Sequence, residues 1–262
     1  MDGAGDAAVP RWAADGSYLV FRRLRQDVHA FHSFLHDQAG ALGLSPAGLG
    51  ARLVGRWASG APTMRAPDAD DPNLGDDDCA NNNFEFKEAT LPTRHPKGRH
   101  QCSDETFPPA PGDPGGDRCP FAAHIRKSYP RDDVDERKTQ THRLLRRGIP
   151  FGPSSQSTPA VPVDDEIDRG LLFMAYMTSI VHQFEHVTKR WVNAADFKVP
   201  NTGVDPIIGQ AEARDGSRRR TFEVSVDGAA HRLTADEDWV VPTGGGYFFA
   251  PSIRALQEVL SQ

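Results

Sequence analysis

Twice in this chain a short run of β-branched and aromatic residues passes straight into a run of helical period, and that succession limits the fold more than any other feature. Residues 16–23 (GSYLVFRR) open on a glycine and read as a strand through Tyr18, Leu19, Val20 and Phe21. Over residues 26–40 the spacing changes, with Val28, Phe31 and Leu35 on one stripe. The succession returns at GLLFMAYM (170–177), which runs into TSIVHQFEHVTKRWV (178–192), where Ile180, Val181, Phe184, Val187 and Trp191 keep helical spacing. Between the two, Ser45 followed by Pro46 supplies an N-cap and a proline at the first helical position, predicting a helix through Leu49, Leu53 and Val54 to about Trp57. RTFEVSVDG followed by AAHRLTA predicts a hairpin around Asp227-Gly228, and IRALQEVL a short closing helix. Strands, helices and hairpins in this order argue an α+β fold with helices on one face of a mostly antiparallel sheet.

The remaining sequence is poor in periodic structure. The 262 residues include 24 glycines and 21 prolines, and only 38% are hydrophobic, so long irregular stretches are expected. They concentrate between Gly60 and Arg118, culminating in PPAPGDPGGD, which reads as a partly disordered surface excursion anchored only at NNNFEF (81–86). The organisation expected is a flexible terminus over residues 1–10 and one domain over 11–262 carrying an irregular insertion at about 60–118. The net charge of −6 is mixed in sign without a basic block, which argues against a nucleic-acid partner. No apolar run approaches the ~20 residues that span a bilayer, so no membrane partner is expected. MDGAGDAAVPRW has neither the basic nor the apolar region of a signal peptide, and the compartment stays open. Cys79, Cys102 and Cys119 are too few for a disulfide framework or a zinc cluster; they are either unpaired thiols or include one loop-tying disulfide.

Two histidine patterns carry chemistry. His124 follows Cys-Pro-Phe-Ala-Ala and precedes Arg126, Lys127 and Arg131. A neutral imidazole is a standard axial ligand of haem iron, and nearby cations can balance haem propionates, although a lone histidine beside basic residues is more often a surface or core residue. His182 and His186 fit His-x-x-Glu-His, a zinc-hydrolase pattern with both rings on one helical face, against the simpler reading of a polar helix face.

Several segments together decide between these. CPFAAHIRKSYPRDD, RLLRRGIPFGP, RGLLFMAYMTSIVHQFEHVTKRW, DPIIGQ (205–210) and VVPTGGGYFFAPSI (240–253), with DGSYLVFRRLRQDVHAF and ARLVGRWASGAP ahead of them, resemble in order the C-terminal, haem-binding portion of DyP-type (dye-decolourising) peroxidases, from about residue 11 to the end. The resemblance implies a ferredoxin-like α+β fold, haem b as cofactor, and oxidation of dyes and phenols by hydrogen peroxide. It implies that His124 is the iron ligand, with Arg126 among the cations near the propionates. It makes Arg146 the distal arginine that stabilises charge as the peroxide bond breaks, with Arg147 the adjacent alternative. Leu171 and Phe173, two apart on a strand and so on one face, become walls of the distal haem pocket. Asp238 becomes the carboxylate that accepts a hydrogen bond from His124, in a run with Asp236 and Glu237. Trp191, near its helix end, is either an electron relay or a core anchor.

One departure stands out. The family's distal aspartate lies in a Gly-x-x-Asp-Gly motif that no part of this sequence contains, and the family's N-terminal half precedes it. A proton-transfer group of that kind contributes about 10²–10⁴ in rate, so an impaired peroxidase is expected. The alternative is a haem-binding remnant without turnover, and a zinc hydrolase is a distant third. The partners implied are hydrogen peroxide, bulky aromatic reductants, and either a second copy of the chain or a separate N-terminal half.

Overall fold

A computed structural model describes residues 10–90, 107–210 and 219–261. Its elements are β1 (Ser17–Gln26), α1 (Val28–Ala39), α2 (Pro46–Val54), α3 (Pro72–Asp76), α4 (His124–Ser128), α5 (Glu136–Thr141), β2 (Leu145–Phe151) and β3 (Gly170–Met177). A helix built on i→i+5 bonding follows, in two segments, Ile180–Glu185 and Val187–Val192. Then come β4 (Arg220–Val226), β5 (Ala229–Ala235), β6 (Val240–Ala250) and α6 (Ile253–Glu258). Among the described residues no helix is long and apolar enough to cross a membrane.

The main sheet has the order β2-β3-β1-β6 with every pair antiparallel, and β4–β5 is a separate hairpin. The expected turn is present: Asp227 and Gly228 both take positive φ, 51° and 76°, the combination a two-residue hairpin loop requires. Local chemistry sets the helix starts. The Asp27 carboxylate accepts from the Ala30 amide at 2.9 Å, and Ser45 Oγ accepts from the Gly48 amide at 3.0 Å with Pro46 next in line.

Because side chains alternate across a strand, the register divides the sheet into two faces. The pairs Val20/Ala175, Arg22/Phe173 and Leu24/Leu171 lie on the inner face, where Val20, Ala175 and Met177 are buried with Phe173, Ile180 and Phe184 against them. Leu19, Phe21, Leu172, Met174, Tyr176 and Phe248 fall on the outer face. A second core joins α1 and α2 to the hairpin through Leu35, Leu49, Leu53, Phe222, Leu233 and Trp239.

The stretch after Gly60 departs from expectation. Its backbone is mostly irregular, yet Ala61, Met64, Leu74, Phe84 and Phe86 are buried, and Met64, Phe84 and Phe86 form a cluster with Cys119 and Ala123. Fixed polar ties replace regular hydrogen bonding: the Asp132 carboxylate accepts from the Phe86, Lys87 and Glu88 amides. The described part of this stretch is therefore a packed wall beside His124. Cys79 is disulfide-bonded, so the three-thiol reading fails; Cys119 is a free thiol whose burial pushes its pKa up to about 12, and Cys102 lies outside the described residues.

Candidate active site

Between α4, the inner sheet face and the i→i+5 helix lies a cavity of about 830 Å³. His124, Arg146, Leu171 and Phe173 all line it, four of the positions singled out in the sequence. Both Arg146 and Arg147 border the cavity, and strand register places them on opposite faces of the sheet. Arg146 pairs with Ala175 and so shares the inner face with Phe173, whereas Arg147 pairs with Met174 of the outer face. Arg146 stays open toward the cavity while the surrounding protein, by desolvation, lowers its pKa.

α4 begins at His124 and is positioned by α2. Gly55, which ends α2 with φ 90°, has no Cβ; one placed there would lie 2.4 Å from Ile125 Cγ1. His124 Nδ1 is 2.8 Å from Asp205 Oδ2, and Asp205 is wholly buried. The other carboxylate oxygen accepts from the Ile207 and Ile208 amides at 2.8 and 3.0 Å, and the Asp205 amide donates to the Val192 carbonyl at the end of the i→i+5 helix. A carboxylate accepts, so Nδ1 carries the proton and Nε2 keeps its lone pair for an electrophile.

Two expected assignments are corrected here. The carboxylate on His124 is Asp205, not Asp238; Asp238 stands 3.8 Å from Arg220 Nε, inside the hairpin core. Arg126 does not reach the cavity, because all five of its N–H donors are used. Nε and Nη2 grip Asp133 at 2.5 and 2.8 Å, Nη1 bonds Asp113 and the Cys119 carbonyl, and Nη2 also bonds the Asp113 carbonyl. Its guanidinium sits between Phe86 and Phe121, 4.8 and 4.2 Å from the ring centroids. Lys127 is also withdrawn: its ammonium donates to the Ala194 and Phe197 carbonyls, and burial pushes its pKa down to about 8.

Other residues supply what those two do not. Arg56 and Arg131 line the cavity together with Arg143, Arg146 and Arg147. Burial, with Arg131 and Arg146 adding repulsion, lowers the Arg56 pKa to about 10. Burial likewise lowers Arg131, whose guanidinium lies 3.8 Å from the Phe84 ring centroid. His142 lines the cavity and stacks on His186 at 3.7 Å between centroids, and Trp191 meets both rings edge-on at 5.3 Å. Trp191 is only 4% exposed, which suits an anchor. Asp205, Arg56 and His142 carry no local signal of their own; Asp205 opens DPIIGQ, where the Asp-Pro step was the one available hint.

The His-x-x-Glu-His string is drawn into other contacts. His186 stacks on His142, the His182 carbonyl accepts from His142 Nδ1, and Glu185 pairs with Lys189 at 2.7 Å. Among the described residues no group of three or more His, Cys, Asp or Glu is arranged to hold a metal ion.

Comparison with known proteins agrees with this geometry. Residues 80–199 match the family described as Dyp-type peroxidase, C-terminal. Peroxidase 2 of Mycetinis scorodonius is 39% identical over 272 residues, covering 99% of this chain and 49% of that protein. An ancestral D-type dye-decolorizing peroxidase superposes with a TM-score of 0.75 at 40% identity, over 96% of this chain and 53% of that one. A dye-decolorizing peroxidase in complex with 2,6-dimethoxyphenol gives 0.73 at 33% identity, over 99% and 55%. The chain spans about half the length of the relatives it matches. Over residues 80–199 the sequence is that of the Dyp-type peroxidase C-terminal family, and by fold the chain resembles about half of a dye-decolourising peroxidase.

Proposed function

We propose that this chain is the haem-b-carrying part of a peroxidase that uses hydrogen peroxide to oxidise dyes and phenolic compounds. The observation that carries the reading is His124: its Nδ1 is held by the buried Asp205 while its ring borders a cavity of about 830 Å³. The residues present fit the group. A flat apolar macrocycle with two carboxylates suits walls of Leu24, Leu171, Phe173 and Phe184 together with five arginines and no lining carboxylate among the described residues.

Haem bound there supplies an iron that reacts with peroxide and draws single electrons from organic reductants. His124 Nε2 is the ligand the chain offers that iron, and Asp205 on Nδ1 makes the imidazole a stronger donor. Arg146 donates hydrogen bonds to the charge that grows on the outer peroxide oxygen. Leu171 and Phe173 exclude water and restrict what enters. Arg56 and Arg131 balance the propionates, the part Arg126 cannot play.

With the chain reconstituted with haem, Arg146→Leu is expected to slow peroxide-driven dye bleaching by about 10²-fold or more. Equal rates in the two proteins would overturn the assignment of Arg146. A second reading is favoured by the lack of a lining carboxylate among the described residues: taken by itself, this chain holds haem without efficient turnover. Stoichiometric haem uptake with bleaching no faster than free haem would establish it. The phenol in the complex of one similar peroxidase supports the reductant class.

A further inference from the structure

We propose that Lys127 is a positioning residue whose buried positive charge sets the oxidising strength of iron held at His124; this rests on the haem reading above. Lys127 follows His124 on α4 by less than one turn, and none of its surface is exposed. Its ammonium donates to the Ala194 carbonyl at 2.8 Å and to the Phe197 carbonyl. Both carbonyls belong to the segment that leaves the i→i+5 helix, and Phe197 stacks back on Trp191 of that helix at 5.7 Å between centroids. The Val192 carbonyl at the same helix end accepts from the amide of Asp205, whose carboxylate holds His124 Nδ1. The chain from Val192 to Asp205 is thus tied to α4 at two points, by Lys127 near its start and by His124 at its end.

The neutrality of its partners sets Lys127 apart. Arg126, Arg169 and Arg220 are also buried, and each faces a carboxylate, Asp133 at 2.5 Å, Asp165 at 2.5 Å and Asp238 at 3.8 Å. Lys127 meets no carboxylate at such range among the described residues; Asp205 and then Asp196 act on it from farther away. Its charge is therefore not cancelled by contact. Burial pushes its pKa down to about 8, so the ammonium is charged at pH 6.

A cation of this kind, in surroundings of low dielectric, stabilises each electron added nearby. Asp205 works in the other direction: by making His124 a stronger donor it favours the higher oxidation states of the iron and weakens them as oxidants. Lys127 offsets that push. His124 keeps a strong bond to the metal, and the iron keeps its power to draw electrons from organic reductants.

The charge acts on an equilibrium and is read at equilibrium. The haem-loaded chain is poised with redox mediators at pH 6, and the ferric-to-ferrous ratio is followed by absorption in wild type, Lys127→Met, Lys127→Gln and Lys127→Arg. Methionine keeps much of the side chain's length and glutamine keeps a donor, but neither keeps the charge; arginine keeps charge and donors. Both neutral variants are expected to raise the ratio about tenfold at a fixed potential, a fall of about 59 mV in midpoint, with Lys127→Arg within about twofold of wild type. If one neutral variant does not fold, the other decides. A role confined to packing predicts neutral variants that hold haem less tightly at an unchanged midpoint, and that result overturns the proposal. So does a Lys127→Arg midpoint as low as theirs. A wild-type chain that takes up no haem defeats the haem reading and this proposal with it, whereas uptake with equal midpoints defeats the proposal alone.

Discussion

Asp205 serves two structures with one carboxylate. One oxygen accepts from His124 and the other from two backbone amides in its own turn, so the side chain cannot swing without breaking three hydrogen bonds. An asparagine there keeps the volume but offers His124 a weaker acceptor. Asp205→Asn is expected to weaken haem binding by about 10- to 100-fold, the usual cost of losing the hydrogen-bond partner of a ligating histidine. Asp238→Asn should leave the affinity unchanged; competition for haem against a reference haem protein measures both, and the reverse ranking would restore Asp238. At this scale the sequence singled out His124 and Arg146, which both line the cavity, but not the carboxylate that holds His124. His124 and Arg146 sit in distinctive local strings, but the string that holds Arg146 does not separate it from Arg147, and both border the cavity. The partner of His124 lies 81 residues away, a distance local pattern does not bridge. Arg126 looked like a cavity cation because its own string is basic, while of the acids that claim it Asp133 only closes that string and Asp113 stands outside it.

The elements divide by composition in the same way. β1, β3, α2 and the β4–β5 hairpin were legible because their apolar period or turn chemistry is intact. β2 (LRRGIPF) and β6 (VVPTGGGYFFA) were not assigned as strands, since arginine, proline and glycine erase the alternation; Pro242 is tolerated because β6 is an edge strand. The segment after Ser179 was expected to be an ordinary helix and takes i→i+5 bonding instead, a geometry that clusters at functional sites. It brings His186 onto His142 above Trp191. Burial, then the repulsion of His142, Arg190 and His182, lowers the His186 pKa below its usual value. With the folded pKa depressed, the unfolded chain takes up the proton first as pH falls below about 6.5, so this contribution to stability is present above that value and is lost below it. Urea unfolding at pH 7.5 and 5.5 is expected to show a smaller loss of stability in acid for His186→Phe, which keeps the stack without the charge. An identical loss in both proteins would remove the stacked pair from the account.

At the scale of the whole molecule the sheet is two-sided in function. Its inner face carries Arg146, Leu171 and Phe173 to the cavity, and its outer face presents Leu145, Phe248, Ile149 and Tyr176 at 76, 52, 48 and 42% exposure. An apolar sheet face of this kind drives association. The 262-residue chain by itself is expected to run as dimers or larger species in sizing experiments, and Leu145→Lys with Phe248→Lys to shift it toward monomer; a well-behaved monomeric wild type would contradict this. The inner face bears the central claim, that His124 backed by Asp205 offers an axial ligand to haem iron. Spectroscopic titration of the chain with haem tests it most directly. The account predicts one haem per chain with a histidine-ligated Soret spectrum, abolished by His124→Ala and untouched by His182→Ala; haem uptake with the same spectrum in His124→Ala would contradict it.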